Sequence, residues 1–305
     1  MLNLFLRSMR ERRDWHGSRN KRAIYAVKYA SRCLLHARAQ AEWLKFIYAC
    51  PRLIAVHERD PYLFDRPQHR YINRHFKAAQ RYAIVRSHYQ FVQSQLPQPL
   101  FEALYRDGVA WLGNVMLKDG SVLVTRLAIP TGRGREGELC LQLANAAGQV
   151  LSSMIFTIAD DGRTLLIGCL QGACSALGID AVRTLTKQCH GLRPKNLLLS
   201  MLLAFAEDHG IERVRGISQA AHPFSVSRGK IKADYDSFWR ECEGVLAGDG
   251  FFDLPSRETV RDEMQVESKH RSAFRKREAL RWEAARGFVA AMRGKMAGEV
   301  ARLAA

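Results

Sequence analysis

Three segments between residues 139 and 171 decide the fold. They are Leu139-Cys140-Leu141-Gln142-Leu143-Ala144, Val150-Leu151-Ser152-Ser153-Met154-Ile155-Phe156-Thr157-Ile158-Ala159 and Thr164-Leu165-Leu166-Ile167-Gly168-Cys169-Leu170-Gln171. In the first, leucines alternate at 139, 141 and 143, the period of two that a half-buried strand requires. The other two are rich in aliphatic and β-branched residues, which suit extended backbone. Asn145-Ala146-Ala147-Gly148 and Asp160-Asp161-Gly162-Arg163 separate them. Both linkers carry the Gly, Asn and Asp of tight turns. Consecutive strands joined by tight turns make an antiparallel meander.

Working outward, 109–117 and 122–129 extend the meander around a Lys118-Asp119-Gly120-Ser121 turn. After Gly178 the period becomes helical, over 179–190 and 194–209. The run from Leu197 to Ala206 is apolar nearly all round and should be buried. Gly210 stops that helix, and strand 213–218, helix 233–242 and strand 250–254 follow. Upstream, residues 20–50 read as one helix whose apolar face is Ile24, Val27, Ala30, Leu34, Leu35, Ala41, Leu44, Phe46 and Ile47. Residues 70–95 read as a second. From Ser256 the chain is mostly helical and charged. Ser268 is the expected N-cap; Lys269, His270, Arg271, Arg275, Lys276, Arg277 and Arg281 suit a grip on a phosphate-rich ligand or anionic surface, or an exposed basic helix whose Ala273, Phe274, Leu280 and Ala284 stripe packs on the sheet. The pattern predicts an α+β protein: a mixed, mostly antiparallel central sheet with N-terminal and C-terminal helices packed around it. The expected regions are a basic helical 1–100, a core of 101–255 and a basic helical 256–305.

Composition narrows the function. The chain has 305 residues, 47% hydrophobic and 25% charged, which suits a globular protein and excludes dominant disorder. No run of about 18 uncharged apolar residues exists, so a spanning helix is not expected. Met1-Leu2-Asn3-Leu4-Phe5-Leu6-Arg7 has no basic segment ahead of a long apolar run. The seven cysteines form no CxxC pair, which suits reduced thiols. A cytoplasmic protein, peripheral at most to the inner membrane, is expected. No Cys/His spacing matches zinc, so no metal is expected. The net charge is +17, and residues 1–96 hold 19 basic and 6 acidic residues. Such asymmetry suits an anionic partner: nucleic acid, phospholipid headgroups, lipopolysaccharide or a phosphorylated cofactor. A solvated basic surface suits the same count. No nucleic-acid motif accompanies the charge, and no GxSxG, HExxH or phosphate-loop motif is present.

Several motifs in order are recognisable: Ile167-Gly168-Cys169-Leu170-Gln171-Gly172-Ala173, Thr186-Lys187, His190-Gly191-Leu192-Arg193-Pro194-Lys195, Gly216-Ile217-Ser218, Lys232-Ala233-Asp234-Tyr235-Asp236-Ser237-Phe238-Trp239 and Ser268-Lys269-His270-Arg271. Over about residues 50–290 the chain resembles the VirK/YbjX family of bacterial proteins. That resemblance implies an association with virulence and resistance to antimicrobial peptides, and no agreed catalytic residues. Residues 138–254 also resemble the core of the GNAT acyltransferase fold: a meander, a loop opening a helix, then strand, helix and strand. This second resemblance implies an acyl-CoA-dependent N- or O-acyltransferase, whose phosphate loop matches His190-Gly191-Leu192-Arg193-Pro194-Lys195-Asn196. The segment departs from (Q/R)xxGx(G/A) in having one glycine and a proline.

The candidate cofactor-binding residues follow. Arg193, Lys195 and Asn196 open a buried helix, where free amides and the positive helix end attract phosphate. The amides of Asn196 and Leu197 are the expected further donors. Gly191 and Pro194 also suit simple helix punctuation. Arg183, Lys187 and His190 share one helix face, either a ridge flanking the loop or a solvated face. Three residues are catalytic candidates. Tyr235 stands where the GNAT fold often has a general acid, and equally suits an amphipathic aromatic at the core edge. His222, at a strand end before Pro223, suits a general base. Gln171 is the third. The alternative function is a non-enzymatic basic protein that binds anionic lipid or nucleic acid.

Overall fold

In the computed structural model, which describes residues 2–130, 135–173, 177–225, 233–259 and 262–294, the meander is the middle of one eight-stranded sheet. Its strands are β1 (Val109–Met116), β2 (Val122–Ala128), β3 (Leu139–Ala144), β4 (Val150–Ala159), β5 (Thr164–Gln171), β6 (Arg213–Ile217), β7 (Val245–Leu246) and β8 (Phe251–Leu254), in the order β1-β2-β3-β4-β5-β6-β8-β7. β5 and β6 pair in parallel, and every other pair is antiparallel. The expected α+β class is therefore what the chain adopts. Cys174, Lys232 and the expected helix beyond Gly294 lie outside the described residues.

The helices are α1 (Leu2–Arg10), α2 (Arg19–Leu35), α3 (Ala37–Tyr48), α4 (Pro51–Arg59), α5 (Ala78–Gln95), α6 (Gln98–Glu102), α7 (Gly178–Gln188), α8 (Pro194–Asp208), α9 (Tyr235–Glu241) and α10 (Arg271–Met292). α8 is the crossover that lets β5 and β6 run parallel. Its Phe205 meets Phe91 of α5, Phe156 of β4 and Phe288 of α10 at ring distances of 6.0, 6.1 and 5.8 Å. One cluster of buried side chains runs from Tyr29 to Met292. Because side chains alternate across a strand, Leu141, Met154 and Phe156 join this cluster while Cys140, Ile155 and Cys169 face the other way. These last form a small second cluster with Ala128.

Four expectations are corrected. Residues 20–50 are two helices, broken at His36, whose φ of −129° is not helical. The apolar face assigned there is also wrong in α2. Ile24, Val27, Leu34 and Leu35 are exposed, and Tyr29 and Cys33 are the buried residues. The helix expected from residue 70 begins at Ala78. Ahead of it the backbone passes through a positive φ at Ile72, and the Asn73 side chain donates to the carbonyl of Asp249 at 2.8 Å. Finally, α10 starts at Arg271 with His270 before it, and Ser268 begins a short 3-10 turn instead of capping the helix.

A buried ionic node joins the N-terminal helices to the sheet. Arg66 lies against Asp60 and donates to Glu138 at 2.9 Å, and Tyr89 of α5 donates to the same carboxylate at 2.8 Å. Burial raises the Glu138 carboxyl above its ordinary value despite the neighbouring arginine.

Candidate functional site at the β5–β6 fork

The parallel ladder between β5 and β6 ends at Ile167 and Gly216. From Gly168 onward β5 has no partner on that side, so the two strands part. Three residues explain the parting. The β4–β5 register shifts so that Ile155 faces Cys169 and Phe156 faces Ile167, which leaves Gly168 as the extra residue of a bulge. A Cβ at Gly168 would lie 1.9 Å from the carbonyl oxygen of Glu136, so only glycine lets that segment cross. A Cβ at Gly216 would strike the Trp239 ring at 2.3 Å. α9 is the wedge. Its Trp239 donates to the Ile217 carbonyl at 2.8 Å, and one turn earlier the Tyr235 hydroxyl accepts the Leu170 N–H at 3.0 Å.

Four polar side chains gather in this fork. Tyr235 Oη lies 3.4 Å from Cys169 Sγ. The His222 ring centre lies 5.4 Å from that of Tyr235, and His222 Nε2 lies 3.1 Å from Glu136 Oε1. The Glu136, Cys169 and His222 ligand atoms all fall within 4.8 Å of one another. Tyr235, His222 and Cys169 are buried, and the Glu136 side chain retains 21% exposure. Burial pushes the Cys169 thiol well above its ordinary value, with Glu136 adding to the shift. It also raises the Tyr235 phenol, with Cys169 adding to the effect. Both groups are thus held protonated, and Cys169 is not a ready thiolate.

The distances would suit a small cation, which spacing along the sequence did not suggest, because the ligands come from three separate segments. The tautomer argues otherwise. His222 Nδ1 accepts the Phe224 N–H at 3.2 Å, so the neutral ring carries its proton on Nε2. A metal-bound imidazole instead donates from its far nitrogen. His222 Nε2 makes no aligned hydrogen bond among the described residues. The cluster fits a proton-handling site better than a metal site.

The candidates from the sequence divide. Tyr235 and His222 come together. Gln171 does not join them: it is exposed at the end of β5, where its carbonyl accepts from Ser152 at 3.2 Å. Glu136 and Cys169 were not singled out. Cys169 stood in a quoted motif, and Glu136 lies in an irregular segment with no periodic signal.

The residues around the α8 N-terminus are mostly engaged. His190 and Gly191 take positive φ of 54° and 85°, and the Gly191 N–H closes the end of α7 on the Thr186 carbonyl at 2.8 Å. Arg183 is exposed beside Asp180 at 3.3 Å, and Lys187 is exposed. Arg193 is exposed and pairs with Glu241 at 2.6 Å. Lys195 Nζ lies 4.3 Å from the Phe238 ring centre. The amides of Asn196 and Leu197, expected as phosphate donors, both point at the Arg193 carbonyl at 2.9 and 3.2 Å. A cleft of about 310 Å³ lies here, lined by Gly191, Arg193, Asn196, Glu241 and Arg281 among others. Asn196 Oδ1 has no partner in it among the described residues. Arg281 is held by Glu258 at 2.8 Å and Glu278 at 3.2 Å, so an anion entering the cleft competes with carboxylates.

A family model described as a protein of unknown function (DUF535) matches residues 18–287. The uncharacterised protein YbjX of Escherichia coli (strain K12) is 27% identical over 270 residues, which cover 86% of this chain and 80% of that protein. An uncharacterised protein of Haemophilus influenzae is 29% identical over 216 residues, covering 69% and 70%. A protein of Mannheimia haemolytica named membrane protein LapB is 27% identical over 195 residues, covering 63% and 82%. No solved structure matches.

Proposed function

The chain belongs to the DUF535 family that includes YbjX, and from that premise we propose that it transfers an acyl group from acyl-CoA to an amine or hydroxyl acceptor at the cell envelope. The observation that carries this reading is the His222–Glu136 contact of 3.1 Å at the carboxyl ends of the parallel strand pair. Ligands in sheets with parallel strands enter beyond those ends, where neighbouring strands part. The order of β5, α8, β6 and α9 is similar to the acyltransferase core and supports the choice of acyl-CoA.

The roles follow from exposure and hydrogen-bond geometry. Glu136, the exposed member, takes the proton of the acceptor as its lone pair attacks the thioester carbonyl. His222 Nε2–H offers a neutral donor to the oxygen that gains charge. The C–S bond breaks, and the proton that Glu136 took passes to the departing thiolate, while the Tyr235 hydroxyl, held protonated by burial, is the neutral hydrogen-bond donor beside the sulfur. The hydrogen bond into Nδ1 favours this donor role for His222 over the base role, which passes to Glu136. The relative named as a membrane protein supports an acceptor at the envelope.

Melting curves with acetyl-CoA and a long-chain acyl-CoA test the reading. At 100 times its dissociation constant a ligand adds about 2.7 kcal/mol of stability. Glu136→Gln is expected to keep that shift and to lower release of free CoA thiol by about 10²-fold or more. No shift with either thioester would end the proposal.

A further inference from the structure

The helix α2 turns the wrong side to solvent for a soluble surface. Ile24, Val27, Ser31, Leu34 and Leu35 fall at i, i+3, i+7, i+10 and i+11, which is one stripe of a helix. Ile24 is 50% exposed, Val27 68%, and Leu34 and Leu35 76% each. The opposite side is fixed to the protein. Tyr29 Oη meets Ser8 Oγ at 2.8 Å, and Cys33 Sγ accepts from Gln68 at 3.2 Å. The outward stripe is therefore not a helix loosely packed; it is held facing out. Lys21, Lys28 and Arg32 run along one flank of it, and Arg19 and Arg22 lie in its first turn. No acidic residue occurs between Asp14 and Glu42.

We propose that the outer face of α2 is the surface by which this protein lies on an anionic lipid bilayer. Aliphatic side chains at that density lose water by entering the headgroup boundary, while long basic side chains beside them reach up to lipid phosphates. The charge decides among occupants. A second copy would bring two rows of lysine and arginine together with no carboxylate on either helix to relieve them. A nucleic acid would satisfy the cations and leave the aliphatic stripe in water, since it is read by polar, cationic and aromatic groups. Only an anionic bilayer takes both the stripe and its flank. No described helix is long and apolar enough to cross the membrane, so the attachment is interfacial. It also sets the fork's substrates in two dimensions: an acyl acceptor in the same leaflet would be held near the protein.

Co-sedimentation of the full chain with vesicles is the test, using phosphatidylcholine alone and phosphatidylcholine mixed with phosphatidylglycerol. The expected result is partition onto the anionic vesicles at low salt, about tenfold or more above the neutral ones. It should weaken as salt shortens the screening length toward about 8–10 Å. Leu34→Glu with Leu35→Glu should lower partition about tenfold or more at an unchanged melting temperature, because both side chains already sit in water. Lys21→Glu with Lys28→Glu should remove the preference for anionic vesicles. Equal partition onto both vesicle types at low salt overturns the proposal, as does vesicle binding undiminished by the paired leucine substitutions. So does a dimer that those substitutions dissolve in a protein that ignores vesicles. Duplex DNA binding that survives them, again without vesicle binding, overturns it too.

Discussion

A methyl group added at Gly168 would meet the Glu136 carbonyl oxygen at 1.9 Å, whereas one added at Gly172, in the same motif, meets nothing within 4 Å. Gly168→Ala is therefore expected to destabilise by about 1–3 kcal/mol, the usual cost of forced overpacking. Gly172→Ala should stay within about 0.5 kcal/mol of the parent. Urea unfolding of the two variants checks this, and equal midpoints would refute the crossing argument. His57 gives a second residue-scale outcome. It is buried and stacks on Phe64 at 3.7 Å. Burial pushes its pKa from 6.5 down to about 4, against the pull of Glu11. The unfolded chain thus binds the proton first, so the stability His57 contributes is whole above about 6.5 and is lost as pH falls from there toward about 4. His57→Phe should flatten unfolding free energy against pH across that window; an unchanged slope would rule this histidine out. At this scale the sequence was half legible. His222 and Tyr235 carry recognisable chemistry wherever they stand. Glu136 becomes meaningful only once Gly168 lets its segment cross β5.

Among the elements, β3, β4 and β5 lie where the alternation and turn residues predicted, because each strand is bounded by a tight turn that leaves no choice of end. α2 shows the limit of the same method. Its apolar residues do recur at helical spacing, but periodicity identifies a stripe and says nothing about which side meets the protein. Tyr29 and Cys33, more polar by type, won the core because Ser8, Gln40 and Gln68 give their polar atoms partners. β7 escaped notice for another reason: two residues are too short for any period. Trp239 is the element-scale anchor of the fork. It is fully buried and bonded to Ile217, and Gly216 exists to admit it.

For the molecule as a whole, the node of Arg66, Asp60 and Glu138 is a buried ionic fastening between the N-terminal helices and the sheet. Breaking one side of a buried pair leaves a charge without compensation, which costs about 3–5 kcal/mol. Glu138→Gln is expected to fall in that range by chemical unfolding. Arg66→Met combined with Glu138→Leu and Asp60→Asn should lie closer to the parent, since all three charges are removed together. If the triple substitution is as damaging as the single one, the node's role is geometric and not electrostatic. No reading of the sequence reached this pair, because its members stand far apart in the chain and neither belongs to a periodic face.

The order of strands carries one more implication, for time instead of space. From β1 to β5 each strand pairs with the next in sequence, so that part of the sheet closes through short loops and can form while the rest of the chain is still emerging from the ribosome. β6 must wait for α8, and α9 for β6. Loop closure of this length slows the late steps relative to hairpins. Glu136 and Cys169 are therefore in place before His222 and Tyr235 exist as neighbours, and the fork matures later than the meander. A chain cut between β5 and α9 keeps the whole meander and lacks Tyr235 of the fork.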